Sequence, residues 1–365
     1  MSGRLNIAVS GQQDIWVIGN PSFSHFLMSF KRHTKFAIEA IETPFTGNMD
    51  FGGNIICRIP QNKGDLIKSV ILNITLEKGG NNYIESIGSK IIDHIDLVIG
   101  GQTIERMTGE YIYMHTQLNH DYDDTQKTLY YTSGHNGTIS KNEFNYRLYI
   151  PFYFHKHPEL FIPVFAIKKQ IVEIHIKFKR LDQVASVVDN DFKIKNTTLI
   201  SDFIFLDALE KNILTNTVIQ QLITQVQVAK VDFNNTNKKS FLVNFKNPVK
   251  EMFFIALENL SHKFINRVEM RVNNNILFDK DKLLLTYHEP MTYYKGYITD
   301  TFPFGVHSFS LRPHDLSPSG QVNMSRIAHK LITIELDNVI NGIVHVYAVS
   351  YNILQINAGL VGLKF

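Results

Sequence analysis

The densest group of ligand-type side chains in the sequence is His155-Lys156-His157, followed by Pro158. Two imidazoles at i and i+2 could share a metal on a strand edge. Yet no cysteine and no acidic ligand pair nearby completes a familiar zinc spacing, and a loop after a strand is the better reading. Asp121-Tyr122-Asp123-Asp124 offers carboxylates for calcium, but the glycine and closing glutamate of a calcium loop are missing, so a solvated turn is expected. The third candidate is SFKRHTKFAIE, residues 29–39, which sets three cations and a histidine between aromatic rings. It could grip nucleic acid, hold a metal or pack as part of a strand.

No other motif adds chemistry. There is no G-x-S-x-G, no H-E-x-x-H and no Walker A pattern, and the Gly-Gly pairs lack a following phosphate-binding helix. No catalytic, cofactor-binding or metal-ligating residue is therefore expected, and no cofactor. The 37 basic and 34 acidic side chains leave a net charge of +3, too small for a general hold on a polyanion, so direct nucleic-acid binding is not expected. An isolated His33 argues against a ligand set in the 29–39 stretch. Cys57 is the single cysteine, which excludes an intrachain disulfide framework, and it sits in an alternating run where a small buried hydrophobe belongs. No long apolar leader and no run near the roughly 18 residues of a membrane span is present, so a soluble intracellular product is expected. Sequons occur at Asn73, Asn136, Asn196, Asn234, Asn259 and Asn323, and most are expected to stay bare for the same reason.

The elements that must carry these residues are mostly strands. Short runs such as NIICRI, KSVILNITLE, HIDLVI, RLYIPFYF, IVEIHIKF, FLVNF, EMFFIAL, NRVEMRV, KLITIEL and IVHVYAVSYNILQI alternate apolar with polar between Gly, Asn, Asp and Pro clusters. The 26 Phe and 15 Tyr suit half-buried pleated surfaces. Helix is expected only around LDALEKNILTN, 206–216, and in a short stretch after Pro158. Two echoes run through the chain. Residues 92–102 align with 265–275 as strand, positive-φ turn and strand, and 147–178 aligns with 309–336 as strand, Pro-broken loop and strand. Their common order points to two similarly built β domains with a boundary near 205–220, as the length of 365 residues also suggests. Sandwich and jelly-roll designs both remain open at this point.

A series of local motifs resembles the major capsid proteins of nucleocytoplasmic large DNA viruses, the iridovirus, phycodnavirus and giant-virus group. SGQQDIWVIGNPSFSHFLMSFKRHTKFAIEAIE (10–42) is similar to that family's opening segment. KGDLIKSVILNITLE, IGSKIIDHIDLVIGGQTIERMTGEYI, LYIPFYFHKHPELFIPVFAI, NPVKEMFFI, FSLRPHDLSPSGQVNMSRI and VHVYAVSYNILQINAGLVGLKF follow in family order. The resemblance implies an all-β tandem double jelly roll: two eight-stranded antiparallel sandwiches, with short helices in loops and linker. It implies a homotrimer of pseudo-hexagonal outline that meets neighbouring capsomers in an icosahedral shell. Minor capsid or penton proteins, and an inner membrane beneath the shell, would be further partners. The protein would reside in the virion after synthesis in the host cytoplasm or virus factory. A minor shell protein, an assembly scaffold and a carbohydrate-binding jelly roll are the alternatives. Lys35 stands where the family more often has Asn, and short segments at 119–145 and 275–300 imply a low-relief capsomer.

On this reading residues 1–25 form an arm, 26–207 a first jelly roll, 208–217 a linker and 218–365 a second jelly roll. The expected interface residues are Arg32, whose fork could clamp a neighbouring carboxylate, and the aromatics Phe152, Phe154, Tyr293, Tyr294, Phe302 and Phe304, with packing inside their own domain as the alternative. In the 29–39 stretch, Phe36 and Ile38 are expected to point inward from an early strand.

Overall fold

The computed structural model describes residues 2–9, 11–28, 30–77, 83–84, 86–119, 143–155, 157–186, 192–294, 298 and 303–365. Asp121–Asp124, Asn136, Lys156, Tyr297 and Phe302 lie outside them. Two compact units are present, Met1–Lys35 and Phe36–Phe365. The first holds two short helices, α1 (Ser2–Ala8) and α2 (Ile15–Ile18), and Trp16, Phe26 and Met28 are almost fully exposed on it. Arg4, Lys31, Arg32 and Lys35 stand against Asp14 alone in that unit, so the whole net charge of +3 resides there.

The second unit is built from antiparallel strands. Ten come first: β1 (Phe36–Pro44), β2 (Thr46–Gly47), β3 (Asn54–Arg58), β4 (Leu66–Glu77), β5 (Ile92–Ile99), β6 (Gln102–Met107), β7 (Glu143–Tyr149), β8 (Ile162–Pro163), β9 (Val172–Phe178) and β10 (Lys193–Leu206). They form two sheets, β1-β10-β4-β7 with β8 against β4, and β2-β3-β9-β5-β6. Strand β3 shows the alternation that this demands, with Ile55 and Cys57 buried and their neighbours exposed. Burial pushes the Cys57 thiol up to about 12, as for an inert core side chain.

A nine-residue helix, Ala208–Asn216, leads to the remaining strands, and the Asp207 carboxylate accepts from the Ala208 N–H at 2.7 Å where it begins. These are β11 (Ile219–Leu242), β12 (Pro248–Glu258), β13 (Ser261–Lys263), β14 (Ile265–Val272), β15 (Asn275–Asp281), β16 (Gly305–Ser308), β17 (Val322–Asn323), β18 (Lys330–Asn357) and β19 (Leu360–Leu363). All nine join one sheet, because β11 and β18 run for 24 and 28 residues and serve both of its halves. The first part of β18 pairs with β14 and the second with β12. KLITIEL and IVHVYAVSYNILQI, which read as separate strands, are thus two ends of one. The bend falls where the β11–β18 register shifts around Asn234–Lys238, and Asn235 there has φ 52°. Gly342 serves the same corner: a Cβ on it would sit 2.1 Å from the Leu257 carbonyl oxygen.

The 92–102 and 265–275 echo is a structural one. Both segments are hairpins closed by two consecutive positive-φ residues, Gly100 and Gly101 at 59° and 82°, and Asn273 and Asn274 at 48° and 70°. Only Gly and Asn adopt such turns at little cost.

Strands β12 and β18 bury both faces. Met252, Phe254, Ala256, Val344, Val346 and Ala348 fill the core of the second sandwich with Val268, Ile332 and Ile334. The alternate residues Phe253, Ile255, Tyr347 and Val349 belong instead to the apolar cluster of the first sandwich. Neither EMFFIAL nor IVHVYAV keeps a polar face for this reason. The two sandwiches therefore meet along a seam that is itself core.

Candidate functional site

Polar side chains staple the seam. The Gln221 amide donates to the Glu159 and Phe161 carbonyl oxygens at 3.1 and 3.2 Å, and Gln225 donates to the Ile104 carbonyl oxygen while accepting from Asn352 at 2.8 Å. Gln170 exchanges two hydrogen bonds with the Val361 backbone, one at 2.6 Å. Helix α3 (Gly109–Leu118) opens on Thr108, whose hydroxyl caps it and lies 2.6 Å from the Tyr347 hydroxyl. Each such bond contributes only about 1 kcal/mol net, but leaving its buried partner bare costs roughly 1–3 kcal/mol, so the set fixes the docking geometry.

A charged cluster lies behind the staples. Glu110, on α3, is buried and pairs with half-buried Lys179; burial opposes its ionisation, but Lys179 outweighs this and holds its carboxyl below the usual range. Opposite stand His262 and His345 from the second sandwich. Burial drives His262 well down, with Lys90, Lys179 and His345 adding to the effect. His345 falls to about 4, from burial first and then from Lys230 and Lys179, against the pull of Glu110. A neutral imidazole with a depressed pKa makes the unfolded chain bind more protons between about 6.5 and 4. Stability should therefore fall as pH drops through that window, by on the order of 2–3 kcal/mol from this group, and His345→Gln should flatten that part of a urea-midpoint profile. Glu105 bends the profile the other way. Burial raises it to about 8, so its contribution is lost as pH rises from about 4.5 through that value.

A cavity of about 90 Å³ also opens on the seam. Tyr111 and His115 of α3 and Asn119 just past its end line it with Glu105, Tyr153, Lys250, Glu251, Tyr294 and Tyr351. Glu251 accepts from the Tyr294 hydroxyl and lies 3.4 Å from the Lys250 ammonium, which donates to the Pro313 carbonyl oxygen at 2.8 Å.

The residues singled out in the sequence are scattered. Phe152 and Phe154 are buried, stacked at 5.8 Å, within the chain's own core, and Phe304 and Tyr294 are buried too. For these four, burial favours packing inside the chain. Tyr293 is half-buried, and Arg32 is exposed in the N-terminal unit. Phe36 and Ile38 do not point inward: they are 50% and 52% exposed. Strand β1 is the edge of its sheet, and its first five residues are exposed. His155 packs beside the Tyr149 ring at 5.7 Å, and among the described residues no three His, Cys, Asp or Glu side chains gather as a metal site would require.

The expected loop at 275–300 begins as β15, followed by a helical run, Leu284–His288 and then Glu289–Tyr293. Leu285, Glu289 and Pro290 are buried on its inner side. Its outer side sets Leu283, Tyr287 and Met291 in an apolar ridge, each more than half exposed. Neither this ridge nor the seam stands out in the sequence. The seam's only mark is the recurrence of Gln in QQLITQVQV, where a solvated strand more often carries charge.

Residues 24–218 match the family model described as major capsid protein N-terminus. The major capsid protein of Pyramimonas orientalis virus is 27% identical over an alignment covering 100% of this chain and 99% of that protein. That of Paramecium bursaria Chlorella virus 1 is 25% identical with 100% of both chains covered. Among solved structures, a quasi-atomic model of the PBCV-1 virus capsid superimposes with a TM-score of 0.83 at 20% identity, covering 94% of this chain and 100% of that one. The Faustovirus major capsid protein gives 0.77 at 11% identity, covering 96% and 95%. The likeness in fold is that of the double jelly roll.

Proposed function

Because the chain belongs to the major capsid protein family, we propose that it is a structural virion protein, three copies of which form a pseudo-hexagonal capsomer of an icosahedral shell. The observation that carries this reading is the tandem pair of sandwiches docked through a core-like seam and matched along nearly its whole length. Two similar barrels per chain, repeated about a threefold axis, supply six similar positions, and closed heterologous contacts follow from that symmetry. The mechanism is geometric. A sandwich removes most apolar surface from water between its sheets, and the seam makes two of them one tile.

The working parts are an arm at 1–25, a barrel at 26–207, a linker at 208–217 and a barrel at 218–365. The ridge Leu283–Tyr287–Met291, with half-buried Tyr293 beside it, is the surface best suited to contact between subunits, since exposed contiguous apolar patches mark such sites. The N-terminal unit, with its bare aromatics and its share of the charge, serves partners on the inner side of the shell: minor capsid proteins or a membrane. Neighbouring capsomers meet through polar rims, where weaker contacts let assembly errors anneal.

Negative-stain microscopy and native mass measurement of the purified protein at micromolar concentration test the reading. A trimer of pseudo-hexagonal outline is expected; a stable monomer under native conditions would overturn it.

A further inference from the structure

Six carboxylates are buried among the described residues of the second unit. Asp65 meets Lys211, Asp96 meets Arg106, Glu110 meets Lys179, Glu251 meets Lys250, and Glu289 meets Lys280 and His307. Glu105 is the exception: it forms no ion pair with a described residue, and its hydrogen bond comes from the Tyr153 backbone N–H at 2.9 Å. A buried carboxylate without a counter-charge is costly, and the chain has paired every other one.

Glu105 lines the seam cavity, and so do two buried side chains whose hydroxyls find no hydrogen-bond partner among the described residues. Tyr153 is 5% exposed and Tyr351 is 7% exposed, and neither hydroxyl is hydrogen-bonded. Aromatic rings, Phe152, Tyr111, Phe253 and Tyr294 among them, form much of the remaining wall beside aliphatic side chains such as Leu160, Leu222 and Val349. Of its acidic side chains, Glu251 pairs with Lys250 and Asp315 lies 3.7 Å from Arg312, which leaves Glu105 as the carboxylate without a counter-charge among the described residues. The cavity therefore disfavours an anion, and the donor set is not that of a metal centre. An ammonium is already held beside it in the corresponding way. The Lys250 Nζ lies 3.4 Å from the Glu251 carboxylate and 6.0 Å from the centre of the Tyr351 ring, and donates to a carbonyl oxygen. Carboxylate, oxygen acceptor and ring face are the three elements by which proteins bind ammonium groups.

We propose that the seam cavity binds a small organic cation, a primary alkylammonium, with Glu105 as counter-charge, the Tyr153 and Tyr351 hydroxyls as acceptors and the surrounding rings as walls. Glu105 stands on β6 of the first sandwich and Tyr351 on β18 of the second. A cation seated between them ties the two sandwiches together, so its occupancy sets how firmly the barrels hold their mutual angle.

The test is thermal melting and titration calorimetry of the full chain at about pH 9, where an alkylammonium and Glu105 are both charged. Ethylammonium chloride is compared with sodium chloride at equal ionic strength. Ethylammonium should give a saturable rise in melting temperature, roughly 2 °C at ten times its dissociation constant, and sodium none. Glu105→Gln should weaken the calorimetric affinity at least about tenfold, as expected for loss of a buried charge partner, and Tyr351→Phe should weaken it severalfold. If Glu105→Gln does not fold, Tyr351→Phe alone decides. Equal responses to ethylammonium and sodium, or unchanged affinity in the variant that decides, would overturn the proposal.

Discussion

Replacing Lys179 with methionine should destabilise the protein by about 3–5 kcal/mol, although it removes only one charge and keeps the aliphatic stem. The reason is Glu110, which is buried and would lose its counter-charge, while the nearby His345 is an imidazole that burial keeps neutral. The ion pair is not worth that much in itself, since a buried pair gives back in desolvation most of what it gains in attraction. The penalty belongs to the orphaned partner, so Lys179→Met combined with Glu110→Gln should recover most of the loss. The cost of the single variant should also shrink as pH falls and Glu110 takes up a proton. Urea unfolding of the two variants measures both effects. A loss under about 1 kcal/mol in the single variant would mean that water reaches Glu110.

Placing glutamates at Tyr287 and Met291 together should leave the subunit folded and abolish trimers. Both side chains are more than half exposed in the single chain, so the substitution removes little core and should move stability by no more than about 0.5 kcal/mol. In an assembled interface the same two carboxylates would be stripped of water without partners, at a cost of several kcal/mol, enough for a drop of two or more orders of magnitude in association. Sedimentation velocity separates the outcomes, and circular dichroism confirms the fold. If the trimer fraction is unchanged, the ridge lies outside the subunit contact, and the exposed edge of β1 around Phe36 and Ile38 becomes the next surface to alter.

The strands were legible because a half-buried strand must alternate, and the hairpins because two consecutive positive-φ positions admit little besides Gly and Asn. Gly100-Gly101 and Asn273-Asn274 announced their turns in this way. The bend in β18 was not legible, since a long strand serving two halves of one sheet has the local pattern of two strands. Phe152, Phe154, Phe304 and Tyr294 looked equally suited to an interface and to a core. An aromatic cluster states that it must be covered, not by which chain. Phe36 and Ile38 failed in the opposite direction: alternation assigned them a face, but it could not show that β1 is an edge strand whose first residues stay exposed. The seam was hidden most completely. Glu105, Gln221, Gln225 and Tyr347 come from distant stretches, and no spacing rule brings them together.

The pairing of β11 with β18 also sets a timetable. Ile219 meets Ile356 and Leu242 meets Leu331, so the second sandwich cannot close until the ribosome has delivered residues about a hundred positions downstream. Through that interval β12 lacks its longest edge partner, and the apolar side of the first sandwich that Tyr347 and Val349 will cover stays open. A nascent subunit is therefore sticky for a large part of its synthesis and needs shielding, by chaperones or by slow local concentration, until one strand arrives. The same dependence is a proofreading step. A chain broken or terminated before β18 lacks both the centre of its second sheet and the Tyr347 and Val349 part of the seam, and so can offer no finished tile to a growing shell.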